Sequence, residues 1–286
     1  MHLLITGAGG QLGMEWVQFC RDNEISFSAF NSSELDISNR QEIEEKITEF
    51  KPTVIINCAA YTKVDDAEER KELATAVNTD SVKFLADFCR NHDIKLVHFS
   101  TDYVFSGSEE DQEKLPDGYP EDFYRQPINT YGYSKYLGEK AIEESGCNFL
   151  LIRVSWLCGR FGNNFVKTML KLGKAKDELS VVDDQFGSPT YTEQVVQEVH
   201  QLLKQNEAGI FHSTSNGVIT WFDLAKETFK QRGIEIKLNP VSTSEFPTKA
   251  KRPAFSKLST KKISKIDGVK LVDWKVGLTN LLENIE

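Results

Sequence analysis

His2-Leu-Leu-Ile-Thr6-Gly7-Ala-Gly-Gly10-Gln-Leu-Gly13 opens the chain and decides how the rest is read. A short apolar run ends in a glycine-rich turn and passes into an amphipathic segment, Met14 to Asn23, which reads as strand, turn, helix. In that context each glycine has its own task. Gly7 permits the tight turn, Gly10 lets the backbone approach a pyrophosphate, and Gly13 lets the helix pack on the strand, while free N–H groups at the helix start face the phosphates. The spacing is G-x-x-G-x-x-G rather than G-x-G-x-x-G, and a glycine turn without a ligand is the other reading.

Further along, Ser26-Phe-Ser-Ala-Phe30 reads as a second strand ending at Asn31-Ser-Ser33. An acid there would bond the adenosine ribose and repel a 2′-phosphate. None stands before Glu34, and no arginine is adjacent; the small donors Asn31, Ser32 and Ser33 favour NADP(H), with NAD(H) left open. Asp36, in Leu35-Asp36-Ile37, is either an acceptor for the adenine amino group or a capping residue before a helix over 40–50. Pro52 to Asn57 is the apolar run of a strand buried on both faces, and the small residues Cys58, Ala59 and Ala60 after it let a flat cofactor lie against the backbone. Residues 70–91 read as a long amphipathic helix, 95–100 as a strand whose Phe99 is assigned to the cofactor site, and 148–154 as another strand. Alternation at this pitch predicts an α/β, Rossmann-type, doubly wound parallel sheet with its crevice at the carboxyl ends of the strands.

Thr101-Asp-Tyr-Val-Phe-Ser-Gly107 falls at that crevice. Tyr131-Gly-Tyr-Ser-Lys135 follows, and on a helix positions i and i+4 share a face. A phenol beside a fixed cation is expected to have its pKa lowered by about a unit or more, so that it exchanges a proton with a carbonyl or alcohol. Thr101 can hydrogen-bond the oxygen that Tyr131 protonates. Read alone, Tyr-x-x-x-Lys is an ordinary amphipathic helix and Thr101 a structural strand end; the dinucleotide turn upstream gives them a chemical reading.

The 286 residues are 40% hydrophobic and 27% charged, ordinary for a globular protein of one or two domains. A net charge of −9 opposes nucleic acid and anionic membranes as partners. Five scattered cysteines without C-x-x-C spacing fit a reduced, cytoplasmic setting, and the histidines show no metal spacing. No apolar leader precedes the strand at His2 and no run is long enough to span a bilayer. The acidic stretch 108–126 reads as a mobile rim, 183–190 as a connecting loop, and Thr192 as the cap of a helix reaching Lys204. Between Lys249 and Lys265 seven residues are basic, an anion grip or a solvated face.

The motifs together resemble the extended short-chain dehydrogenase/reductases, which act largely on nucleotide-activated sugars. Within them Asn57-Cys-Ala-Ala-Tyr-Thr-Lys-Val-Asp-Asp-Ala-Glu68, Ser100-Thr-Asp-Tyr-Val-Phe105, Gly162-Asn-Asn-Phe165, Asp184-Gln-Phe-Gly-Ser-Pro-Thr190 and Arg252-Pro253 are similar to the dTDP-4-dehydrorhamnose reductase family over essentially the whole chain. The resemblance implies Tyr131 as proton donor, Lys135 as its electrostatic partner and nicotinamide-ribose ligand, and Thr101 as carbonyl donor. It places Gly10, Gln11 and Leu12 on the pyrophosphate, Asp36 and Ile37 on the adenine, and Asp102 and Trp156 on a dTDP-sugar, where Arg252 is read as a phosphate donor. It divides the chain into a dinucleotide-binding part, 1–155 plus 181–206, and a smaller mixed α/β sugar-nucleotide-binding part, 156–180 plus 207–286. Some members are homodimers bridged by Mg²⁺ through glutamates. Glu15 and Glu193 match two of those positions, whereas the third falls nearer Asn284 than Glu283. A nucleotide-sugar epimerase or dehydratase is a second reading, although dehydratases place Asp-Glu after the threonine and this chain has Asp102-Tyr103. A third is a dinucleotide-binding regulatory subunit, a role that does not need Tyr131 and Lys135.

Overall fold

In the computed structural model, which describes residues 1–285, one sheet of six parallel strands carries the fold. Its members are β1 (His2–Thr6), β2 (Ser26–Phe30), β3 (Val54–Asn57), β4 (Lys95–Thr101), β5 (Phe149–Val154) and the edge strand Gly209–His212. Their order across the sheet is β2-β1-β3-β4-β5 and then Gly209–His212. The chain runs outward from β1 to β2 and then returns to build β3 on the other side of β1. That reversal opens the crevice between the carboxyl ends of β1 and β3.

Helices cover both faces, which is why every residue of β4 is buried. On one face α1 (Gln11–Asp22) sets Leu12, Trp16 and Cys20 at helical spacing against Val195, Val196 and Val199 of the helix Thr192–Lys204. On the other, Ile43 and Ile47 of α2 (Arg40–Phe50) meet Val82, Leu85 and Cys89 of the helix Ser81–Asn91. The expected single helix over 70–91 is interrupted by a π-turn, Ala76–Asp80. The smaller layer packs Phe165–Gly173 on Trp221–Arg232, adds the parallel ladder Glu178–Val182 with Lys237–Val241, and closes with Trp274–Glu283.

Several expectations are corrected here. Gly209–His212, assigned with 207–286 to the smaller part, is an edge strand of the large sheet, and Ile263 also returns to the large core. Residues 183–190 contain two short strands, Phe186–Gly187 and Thr190–Tyr191. Thr192 is not the cap of its helix, since Tyr191 holds that position and the Thr192 hydroxyl donates to Glu15 instead. The stretch 108–126 is pinned: Tyr119 is fully buried, stacks on Phe105 and donates to Asp111 at 2.6 Å. All five cysteines are unpaired, as expected. No helix among the described residues is long and apolar enough to cross a membrane.

Candidate active site

The glycine turn is shaped by close approach. Gly7 has φ +64°, and a Cβ added there would stand 2.6 Å from the Ala59 backbone nitrogen, so the two loops flanking the crevice touch at this point. Gly10 is the N-cap residue of α1 without a side-chain cap, so that first-turn N–H groups remain for a ligand. Gln11 spends its side chain on Leu157 O and Asn164, tying the turn to the smaller layer, and Leu12 points into the core. For both, the side chain is committed elsewhere and only the backbone is left toward the crevice.

At the end of β2, Asn31 Oδ1 accepts from the Ser33 N–H and hydroxyl, and its own N–H donates to Glu34. A groove of about 300 Å³ lies beside them, lined in part by Gly9, Arg21, Asn31 and Glu34. The arginine missing next to the strand end is therefore supplied from α1, ten positions earlier in the chain, where no sequence spacing announces it. Asp36 forms a local turn, accepting from Ser38 N and Oγ, whereas Ile37 buries its side chain with Leu35 and Ile43. Cys58, Ala59 and Ala60 line the loop after β3, and burial pushes the Cys58 thiol upward, so it stays a protonated, inert surface.

The helix Thr130–Ser145 carries Tyr131 and Lys135. Asn129 caps it by accepting from Gly132 N at 2.8 Å, and Gly146 in the left-handed region stops it. A Cβ on Gly132 would lie 2.2 Å from Tyr103 O, so glycine there allows the helix start to press on the turn Asp102–Val104. Tyr103 and Tyr131 rings meet edge to face at 5.6 Å. Lys135 is 1% exposed; its Nζ donates to Phe99 O at 2.6 Å and lies 3.0 Å from His98 Nε2. Phe99 thus contributes its carbonyl to the site while its ring joins the core.

The electrostatics differ from the expected ones. Burial, then the negative charge of Asp102, raise the Tyr131 pKa above its ordinary value. Lys135 does not lower it, because the amine is turned to β4. Burial brings Lys135 itself down to about 8 against the upward pull of Glu139. Tyr131 therefore stays a neutral phenol, the form an acid must have. Thr101 donates to Asp102 Oδ1 at 2.9 Å and accepts from Tyr103 N, so its one hydroxyl proton must turn away from Asp102 to reach a carbonyl. Burial raises Asp102 to about 6 despite the hydrogen bond from Thr101, and its Oδ2 is buried without a partner.

Beside Tyr103 a cavity of about 750 Å³ opens between the two layers, lined among others by Met169, Val181, Gln185, Trp221, Phe246 and Arg252. Arg252 donates to Asp65 at 2.5 Å and to the Tyr103 hydroxyl at 3.3 Å. Trp156 holds a left-handed backbone, φ +47°, and stacks on Trp221 at 3.7 Å. The basic run is largely committed to anchoring: Lys249 pairs with Glu69, Lys261 with Asp117, and Lys257 and Lys262 bond backbone carbonyls. Of the expected anion grip, Arg252 alone lines this cavity.

The whole chain, residues 1–286, matches the family model described as RmlD substrate binding domain. It is 39% identical over 293 residues to a dTDP-4-dehydrorhamnose reductase of Aggregatibacter actinomycetemcomitans, with 98% of each chain covered. The chain belongs to the dTDP-4-dehydrorhamnose reductase family. Solved structures agree. A family member from Bacillus anthracis in complex with NADP superposes with TM-score 0.93 at 38% identity, covering 99% of this chain and 98% of that one. One from Clostridium acetobutylicum superposes with TM-score 0.93 at 37% identity, covering 99% of both.

Of the glutamates that the family resemblance connects with a bridging Mg²⁺, Glu15 is engaged within this chain. Both Glu15 carboxylate oxygens are taken, one by Arg160 Nη2 at 2.6 Å and the other by the Thr192 hydroxyl at 2.8 Å. Among the described residues no three His, Cys, Asp or Glu side chains are grouped to hold a metal.

Proposed function

We propose that this protein reduces dTDP-4-dehydro-β-L-rhamnose to dTDP-L-rhamnose, the last step of dTDP-L-rhamnose synthesis, with NADPH as the favoured reductant. The reading rests on one arrangement above all: a neutral, half-buried phenol at Tyr131, one helical turn from Lys135 and edge to face with Tyr103, which lines the large cavity. A bound nicotinamide supplies the hydride to C4. Tyr131 gives its phenolic proton to O4 as the C4=O double bond becomes C4(H)–OH. An alkoxide is a stronger base than even a raised phenolate, so the transfer runs downhill, while the Lys135 ammonium, held by Phe99 O and His98, is left to bind the nicotinamide ribose. Thr101 holds O4 in line, and the Trp156 and Trp221 pair walls the sugar side. Arg21, beside Asn31, supports the preference for the 2′-phosphate.

The deciding assay follows NADPH absorbance on adding dTDP-4-dehydrorhamnose generated in situ. Stoichiometric oxidation is expected, with NADPH used at least as well as NADH; no consumption at micromolar enzyme overturns the reading. Arg252→Ala should mainly raise KM for the sugar nucleotide, by about 10-fold or more, the worth of one charged hydrogen bond. Steady-state kinetics decide it. A rise confined to the cofactor KM would remove Arg252 from the substrate site.

A further inference from the structure

Beneath the crevice lies a row of polar side chains that the chemistry above does not use. Thr6, Asn57 and His98 are register neighbours on β1, β3 and β4, and each is 1% exposed. The Thr6 hydroxyl is 2.7 Å from Asn57 Oδ1, the Asn57 amide nitrogen is 3.0 Å from His98 Nδ1, and His98 Nε2 is 3.0 Å from Lys135 Nζ. Two positions before them, on the same face of the sheet, stand Leu4, Ile55 and Leu96, so the row borders an aliphatic core, where an unpaired polar group costs about 1–3 kcal/mol. Something must repay its presence.

Counting protons gives the answer. Burial, then the Lys135 charge, push the His98 pKa well below its ordinary value, so the ring is neutral and has one donor and one acceptor nitrogen. An ammonium at Lys135 can only donate. Nε2 then accepts, Nδ1 carries the proton, and the Asn57 amide must offer its oxygen to Nδ1 and its nitrogen to Thr6. A free amine at Lys135 accepts instead. Nε2 then carries the proton, the Asn57 nitrogen donates to Nδ1, and the Thr6 hydroxyl donates to the Asn57 oxygen, the orientation seen here. The two arrangements differ by one proton, and each keeps the His98 ring bonded on both sides, to Asn57 and to Lys135.

We propose that His98 is a positioning residue for Lys135, holding its amine under the crevice in both charge states while the Thr6–Asn57–His98 row reverses its hydrogen-bond direction to match. The Phe99 carbonyl supplies a second fixed contact, and the remaining N–H of the ammonium is left for the crevice. Other ionisable groups around this amine are Tyr131 and Glu139 on its own helix, with Asp102 beyond the first and Arg153 beyond the second. None of these contacts His98 in place of the lysine.

The kinetic arm of the test rests on the reductase reading, which wild-type turnover checks separately. His98→Asn leaves an amide able to meet Asn57 but too short for Lys135, whereas His98→Gln reaches the place of Nε2. H98Q should stay within about 3-fold of wild-type kcat. H98N should lose about 10- to 100-fold in kcat, since misplacement of a reacting group by about 1 Å costs up to about that much. Its alkaline limb in kcat should also move to lower pH, because an ammonium without its acceptor gives up its proton more easily. Equal behaviour of the two variants, with an unmoved limb, overturns the proposal. If neither variant folds in a thermal melt, ¹⁵N spectra of wild-type imidazoles decide it. The His98 proton is expected to pass from Nδ1 to Nε2 as pH rises through the Lys135 titration; a single tautomer throughout would sink the idea.

Discussion

Tyr131→Phe is expected to bind dinucleotide like the wild type and to lose about 10²-fold or more in kcat, within the 10²–10⁴ that a positioned acid or base contributes. The ring loses one oxygen and keeps its edge-to-face contact with Tyr103, so the crevice should not rearrange. What disappears is the proton that closes the C4–O4 bond change, and neither Thr101 nor Asp102 replaces it. The Thr101 hydroxyl is shared with Asp102, and Asp102, raised to about 6, is largely ionised at neutral pH. The same electrostatics fix the pH profile. Tyr131 keeps its proton through the neutral range, so the alkaline limb of kcat belongs to Lys135 near 8. As that amine loses its charge the crevice loses the cation proposed to hold the nicotinamide ribose, and turnover should fall. Single-turnover hydride transfer measured from pH 6 to 10 checks both, and a Y131F rate within a few-fold of wild type would remove Tyr131 as the acid.

The parts of this molecule legible in the sequence are those in which one element carries its own signal. Strand, glycine turn and helix at 2–22 are adjacent in the chain, and the i, i+4 spacing of Tyr131 and Lys135 is a property of a single helix. What depended on contacts across elements was not legible. Lys135 finds its partners on β4, where His98 and Phe99 hold it away from the phenol, and the sign of the Tyr131 shift reverses in consequence. Arg21 reaches the groove beside Asn31 because α1 lies over β2. The lysines at 249–265 read as a basic patch because their partners Glu69 and Asp117 lie more than a hundred residues upstream. The boundary near 207 failed for the same reason, since a four-residue strand at a sheet edge has too short a pattern to distinguish it from the mixed layer that follows.

Behind the site, Glu139→Ala should cost about 3–5 kcal/mol of unfolding free energy, the largest stability effect expected of any single polar substitution here. Glu139 and Arg153 are both 0% exposed, and the guanidinium grips the carboxylate twice, Nε to Oε1 and Nη2 to Oε2, each at 2.8 Å. Arg125 adds a third bond at 3.0 Å from the partly exposed side. Removing the carboxylate strands the Arg153 charge, whose other contacts are a carbonyl and the His212 ring, neither able to neutralise it. The pH dependence has a definite sign. Burial alone would raise the Glu139 pKa, but the charge and hydrogen bonds of Arg153, with the hydrogen bond of Arg125, hold it below its ordinary value. A depressed carboxyl stabilises the fold above its unfolded value, about 4.3, and loses that contribution as pH falls through the folded value. Urea unfolding of wild type and E139A should therefore differ by a constant amount from pH 8 to about 5, and the gap should narrow below about 4. A gap that persists undiminished into strong acid would mean that the loss comes from packing rather than from the ion pair. Glu139 stands one turn beyond Lys135 and supports its charge, so the same variant should also shift the alkaline limb of kcat to lower pH. Stability and turnover would then respond together to one buried carboxylate.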